Sequence, residues 1–153
     1  GQTVRHPIEH VEVFPAPANV TIVKFTTDEL ASMCPVTQQP DISTLVIEYV
    51  PQEFCIESKS LKLYLWGFRD RAVFAEALAA EIAEEVMATA RPETVRVVLT
   101  QRPRGGIEVE AVAELCQTYN VPLILDEIQS EVIIAKDYLG NAYLPEWNFN
   151  GID

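Results

Sequence analysis

The apolar positions of the chain change period several times, and each change marks an element. Asn19 to Phe25 alternates β-branched with polar residues and predicts a strand. Ser43 to Val50, STLVIEYV, predicts a second, closed by Pro51. Between them Thr26-Thr27-Asp28-Glu29 reads as a capping sequence and predicts one helical turn. Phe54 to Glu57 is a short extended passage. From Ser60 the spacing becomes helical through Leu61, Tyr64, Leu65 and Phe68, to about Arg69. Phe74 to Ala90 carries the clearest helical pattern. Phe74, Leu78, Ile82 and Val86 recur every four residues, with Glu81, Glu84 and Glu85 off that stripe, and Pro92 closes it. Thr94 to Thr100 and Ile107 to Leu115 predict two more strands, joined by the turn Pro103-Arg104-Gly105-Gly106.

The order is therefore ββααββ, an α+β fold: a four-stranded antiparallel sheet with both helices on one face. The other face is left needing cover, which assembly into an oligomer would supply. Residues 1–18, with Pro7, Pro15 and Pro17, read as an extended N-terminal arm, and 19–116 as the domain. Residues 117–153 read as an extension packed on the domain or on a neighbouring subunit. In it VPLIL suggests a strand and Asp126 to Ile134 a helix or strand, with an irregular tail from Tyr138.

Composition narrows the functional classes. A length of 153 residues suits one domain. The net charge of −12 argues against a general nucleic-acid surface, so any anionic ligand must meet a local basic patch. No apolar run approaches ~18 residues, so no membrane span is expected, and no secretion signal is seen. Cys34, Cys55 and Cys116 form an odd set without a CxxC pair, and His6 and His10 lie in the arm. A disulfide framework and a metal site both fit poorly, and reduced cytoplasmic thiols fit better.

Candidate chemistry centres on Cys34-Pro-Val-Thr-Gln-Gln-Pro-Asp41 and Glu57-Ser-Lys-Ser-Leu-Lys-Leu-Tyr64. A free cysteine is more often a small buried hydrophobe than a nucleophile, and that reading suits Cys55 and Cys116. Cys34 differs, because it sits in a proline-flanked loop with a carboxylate, Asp41, near enough to move protons for it. Asp41 can also be a turn former. Lys59 and Lys62 read either as a solvated helix face or, with Ser58 and Ser60 at a helix start, as a phosphate site. Arg104-Gly105-Gly106 serves a hairpin turn, and also offers a guanidinium and open backbone N–H groups to a phosphate. Glu76 suits a helix first turn; if buried, its carboxylate could instead accept two N–H bonds from a purine-like ring.

Together, CPVTQQPD, ESKSLKLY, a helix beginning FAE and PRGG resemble the single-module form of NADPH-dependent 7-cyano-7-deazaguanine reductase, the QueF family. The similarity covers roughly residues 20 to 115, and ESKSLKLY is its most specific motif. The resemblance implies a tunnelling fold whose subunits assemble into a barrel, as a decamer of two pentamers with active sites between subunits. It implies that Cys34 attacks the nitrile carbon to give a thioimide and that Asp41 is the general acid and base. Substrate would meet Ile56, Glu57, Ser58, Ala75 and Glu76, with Glu76 anchoring the deazapurine. NADPH would be held by Ser58, Lys59, Lys62, Arg104 and Gly105. The partner is thus a small 7-deazapurine rather than nucleic acid or membrane. Two positions depart from the family pattern: Gln38 replaces its usual Gly, and Ala75 its usual His. They motivate two alternatives, an amidinotransferase-like relative that adds ammonia to the same thioimide, and a non-catalytic deazapurine-binding protein.

Overall fold

Two long antiparallel hairpins, separated by two helices, build the domain in a computed structural model. It describes residues 6–117 and the backbone at 121–122, 135–136 and 142–143. In chain order the elements are β1 (Val13–Pro15), β2 (Val23–Met33), β3 (Pro40–Val50), β4 (Phe54–Ile56), α1 (Ser58–Trp66) and α2 (Ala75–Ala90). They continue with β5 (Thr94–Arg104), β6 (Ile107–Cys116), β7 (Val121–Pro122), β8 (Ala135–Lys136) and β9 (Ala142–Tyr143). The main sheet is ordered β2-β3-β5-β6-β7, every neighbouring pair antiparallel. The ββααββ order is present, and the two-residue β7 adds a fifth strand at the β6 edge. Of the VPLIL stretch only this pair is described, and Asp126 to Ile134 lies outside the described residues.

Period-two alternation sends Leu45, Ile47 and Tyr49 of β3 and Val95, Val97 and Leu99 of β5 to one face, all at most 1% exposed. Leu78, Ile82 and Val86 of α2 and Leu61 and Tyr64 of α1 close over them as one core. The opposite face reads across the register as Lys24–Glu48–Arg96–Glu114 beside Thr26–Val46–Val98–Val112. Arg96 Nε donates to Glu114 Oε1 at 3.2 Å, and Val112 is 45% exposed. Among the described residues no helix covers this face.

The structure corrects several expectations. Thr26 to Glu29 is not a helical turn but part of β2, which starts at Val23 and runs to Met33. Thr26 and Thr27 pair with Val46 and Leu45, and the register then shifts before Leu30. The residues that looked like a cap form a bulge, where Thr27 Oγ1 accepts the Glu29 N–H at 3.1 Å. α1 begins two residues earlier than predicted and ends at Trp66, because Glu57 supplies its cap. Cys116 is half-buried rather than a core residue, whereas Cys55 is 4% exposed.

The described part of the arm, residues 6–18, is extended and fastened to the domain. β1 pairs with β4, Val11 is buried, and the Glu12 N–H donates to Ser60 Oγ at 2.8 Å. Glu85 of α2 accepts the Val11 N–H at 2.9 Å and meets His10 Nδ1 at 3.0 Å, which raises the His10 pKa.

Beneath this arm the Ile56 N–H donates to Tyr49 Oη at 2.8 Å. Burial pushes the Tyr49 phenol up to about 12, and burial raises Tyr64 as well. An unfolded chain releases these protons near pH 10 and the native chain later, so alkali favours unfolding. The contribution of these two phenols should be constant below about pH 10 and then fall by about 1.4 kcal/mol per pH unit for each tyrosine, up to about pH 12 for Tyr49. Denaturant titrations across pH 8–12 check this. Tyr49→Phe should flatten the slope while lowering neutral-pH stability by about 1–3 kcal/mol, the cost of stranding a buried N–H.

Candidate active site

Cys34 lies in the connection between β2 and β3. The ladder ends at the pair Met33–Pro40, since Pro35 and Pro40 have no N–H to extend it. Residues 34–39 close on themselves instead: the Cys34 N–H donates to Gln39 O at 2.8 Å and the Gln38 N–H to Cys34 O at 2.9 Å. Gln38 takes φ +61°. A side chain there costs about 1–2 kcal/mol relative to glycine, so the substitution of the usual Gly leaves the loop shape attainable but strained. Cys34 is partly exposed. Its thiol pKa is lowered by the Thr37 hydroxyl, then by the Thr37 and Val36 backbone N–H groups, against the opposing effects of desolvation and, after it, of the Asp41 charge. The Thr37 N–H reaches Sγ at 3.4 Å.

Asp41 is the second residue of β3, opposite Ser32, and its side chain is 5% exposed. A buried carboxylate needs a partner, and the far hairpin provides one. Arg104 ends β5, donating from Nη1 to Asp41 Oδ1 at 2.7 Å and from Nη2 to Gln39 Oε1 at 2.6 Å. The turn that follows has Gly105 at φ +62° and Gly106 at φ +81°, the left-handed pair of a two-residue hairpin loop.

The start of α2 comes to the same end of the sheet. The Met33 N–H donates to Arg71 O at 2.8 Å and the Val73 N–H to Met33 O at 3.1 Å, forming a parallel bridge between Met33 and Ala72. This backbone tie holds the stretch that leads into α2 against the residue preceding Cys34. Ala75 is buried; Glu76, expected to be buried if it is a ring anchor, is exposed in the single chain.

The ESKSLKLY motif starts beside the far end of β3, and α1 runs back from there toward the middle of the sheet. Ile56 is buried and tied to Tyr49 near the end of β3. Glu57 Oε2 accepts the Lys59 N–H at 2.7 Å and Oε1 the Ser60 N–H at 2.9 Å, so this carboxylate caps α1. Ser58, Lys59 and Lys62 are exposed, and neither lysine has an ion-pair partner among the described residues. A cavity of about 400 Å³ opens between β2, β3 and α1, with Phe25, Thr27, Glu29, Ser58, Lys62 and Trp66 in its lining. Through Leu30, Leu45 and Lys62 this cavity reaches the middle of β2 and β3, about four residues short of Cys34 and Asp41, roughly 14 Å at about 3.4 Å per residue.

One chain thus brings Cys34, Asp41, Arg104 and Gly105 together, with Ala75 and Glu76 tied to that end. It does not bring Ile56, Glu57, Ser58, Lys59 and Lys62 to them. Sequence reasoning gave no role to Thr37 or Gln39, the residues that touch the thiol and the guanidinium. A hydroxyl three residues after a loop cysteine was the available signal for Thr37; Gln39 had none.

The family described as "QueF-like protein" matches residues 40–120. A protein of Granulibacter bethesdensis named NADPH-dependent 7-cyano-7-deazaguanine reductase is 39% identical over 116 residues, covering 72% of this chain and 76% of its own. A protein of the same name from Nitrosococcus oceani is 38% identical over 113 residues, covering 72% of this chain and 88% of its own. A crystal structure of the archaeosine synthase QueF-Like in the apo form superposes with a TM-score of 0.59 at 29% identity, over 63% of this chain and 94% of that one.

Proposed function

Since the chain belongs to the QueF-like family with the 7-cyano-7-deazaguanine reductases, we propose that it reduces the nitrile of 7-cyano-7-deazaguanine to the 7-aminomethyl group with NADPH. The observation that carries this reading is the partly exposed, acidified thiol of Cys34, held on the same hairpin end as the buried carboxylate of Asp41. A nitrile carbon is electrophilic but slow to react, and thiolate addition converts it to a C=N that is easier to reduce. The Cys34 sulfur forms an S–C bond, one π bond of the nitrile breaks, and the nitrogen takes a proton, leaving a thioimide. Asp41 is placed to pass protons to that nitrogen.

When bound, NADPH would supply two hydrides, one per cofactor molecule; between them the nitrogen lone pair expels Cys34 as thiolate, breaking the S–C bond and leaving an imine for the second. The chain's own residues suit it: Lys59 and Lys62 at the start of α1 have no ion-pair partner among the described residues, in a protein of net charge −12. They would hold its phosphates, with Ser58 beside them. Arg104 and Gly105 would approach the phosphates from the other end of the sheet. Ile56, Glu57 and Ser58 would line the deazapurine pocket, with Ala75 beside Glu76 as its anchor.

Because these two groups lie apart in one chain, the complete site forms between subunits. The uncovered face carrying Val46, Val98 and Val112 supports assembly of the sheets into a barrel, the tunnelling-fold arrangement, as a decamer of two pentamers. The cytoplasm, which keeps thiols reduced and holds NADPH, is the compartment this chemistry needs.

Mixing the protein with the nitrile and NADPH tests the reading. Loss of NADPH absorbance and a covalent mass increase mapping to Cys34 are expected; absence of both overturns it.

One observation favours a second reading. The similar solved structure is of an archaeosine synthase, and an amidinotransferase-like enzyme would add ammonia to the same thioimide. A product formed with ammonia and without NADPH distinguishes it.

A further inference from the structure

Arg104 is drawn two ways. As a dinucleotide ligand it would face phosphate, yet its guanidinium holds Asp41 at 2.7 Å and Gln39 at 2.6 Å. We propose that Arg104 is also the positioning residue of the acid–base carboxylate, clasping Asp41 and the Cys34 loop to the β5–β6 hairpin before any cofactor arrives. This inference rests on the function proposed above, in which Asp41 serves the chemistry at Cys34.

The geometry supports it at each contact. Gln39 and Asp41 flank Pro40, so one planar group grips both sides of the proline that starts β3. The Gln39 backbone carbonyl accepts the Cys34 N–H at 2.8 Å, and its side chain meets Arg104. Displacement of Gln39 is therefore transmitted to the nucleophile through one residue. Asp41 is 5% exposed and Arg104 38%, so the carboxylate is shielded while part of the guanidinium faces solvent. Two of its five donors are taken by Asp41 and Gln39, and three remain for a phosphate. Only arginine presents this fork; a lysine has no fixed pair of directions with which to hold both oxygens.

The consequence concerns a step that needs no cofactor. If Arg104 only bound dinucleotide, its replacement would leave thioimide formation at Cys34 unchanged. As a positioning residue, Arg104→Ala should slow adduct formation, measured by rapid-quench mass spectrometry without NADPH, on the order of 10²-fold, the scale set by a misplacement of about 1 Å. Arg104→Lys should recover only part of the rate.

The effect should also shrink in an Asp41→Asn background, because Arg104 then positions no acid–base group and acts only through its remaining hold on the loop. A general folding defect would instead multiply with that substitution. Adduct formation at the wild-type rate in both Arg104 variants overturns the inference, as does a full Arg104→Ala effect in the Asp41→Asn background. Absence of any adduct in the wild-type protein would instead overturn the nitrile-reductase reading itself.

Discussion

Cys34→Ala is expected to leave the protein folded and to abolish nitrile-dependent NADPH oxidation. Removal of a covalent nucleophile takes away a bond that no neighbouring group can replace, and losses on the order of 10⁴-fold or more follow. Cys34 stands in an exposed connection outside the core, so the melting temperature should not change with the activity. The other thiols offer no substitute: Cys55 is sealed in the core, and Cys116 pairs with Thr94 far along the sheet from the Cys34 loop.

Adduct formation in the wild-type protein should also depend on pH in a defined direction. The Thr37 hydroxyl and backbone N–H groups favour the thiolate, so the rate should rise with pH through a midpoint below that of an ordinary cysteine. Thr37→Val should move the midpoint upward. A Cys34→Ala protein that still consumes NADPH with the nitrile would dismiss the covalent route.

Asp41→Asn is expected to reduce turnover by about 10² to 10⁴-fold, the range for loss of a general acid–base group. Asparagine keeps the shape and an acceptor oxygen for Arg104, so the clasp on the loop persists in part while proton transfer is lost. Single-turnover experiments should find an adduct that forms slowly and is reduced slowly, with the Michaelis constant for NADPH changed less than the rate. Turnover within about tenfold of wild type would assign Asp41 a purely structural role as the partner of Arg104.

How much of this was legible in the sequence varies with the range of the forces involved. α2 announced itself because Leu78, Ile82 and Val86 form the spine of its buried face, beside Ala75, Ala79, Ala83, Met87 and Ala90, and Pro92 marks its end; Phe74, expected on the same stripe, is instead an exposed cap residue. β3, β5 and β6 were readable from alternation that matches the faces they present. β2 was not. Thr26, Thr27, Asp28 and Glu29 have the composition of a helix start, and only pairing with Leu45 and Val46, some twenty residues away, makes them a bulged strand. The ESKSLKLY motif was conspicuous as a string, but the same string did not tell that the Glu57 carboxylate is spent on capping its own helix.

The sequence by itself determined the reactive vocabulary of this protein: a proline-flanked cysteine, an aspartate seven residues on, two lysines at a helix start and a diglycine hairpin. Those are local facts, set by residue type, turn chemistry and periodicity. The tertiary structure decided which of them meet. Asp41 and Arg104 are 63 residues apart in the chain and 2.7 Å apart in space, a contact that exists because sheet register brings two hairpin ends to one edge. Lys59 and Lys62 sit instead on α1, in the helix layer, and contact neither Asp41 nor Arg104. Register follows from burying Leu45, Ile47, Val97 and Leu99 on one face together, a condition on the whole sheet that no single stretch of residues contains.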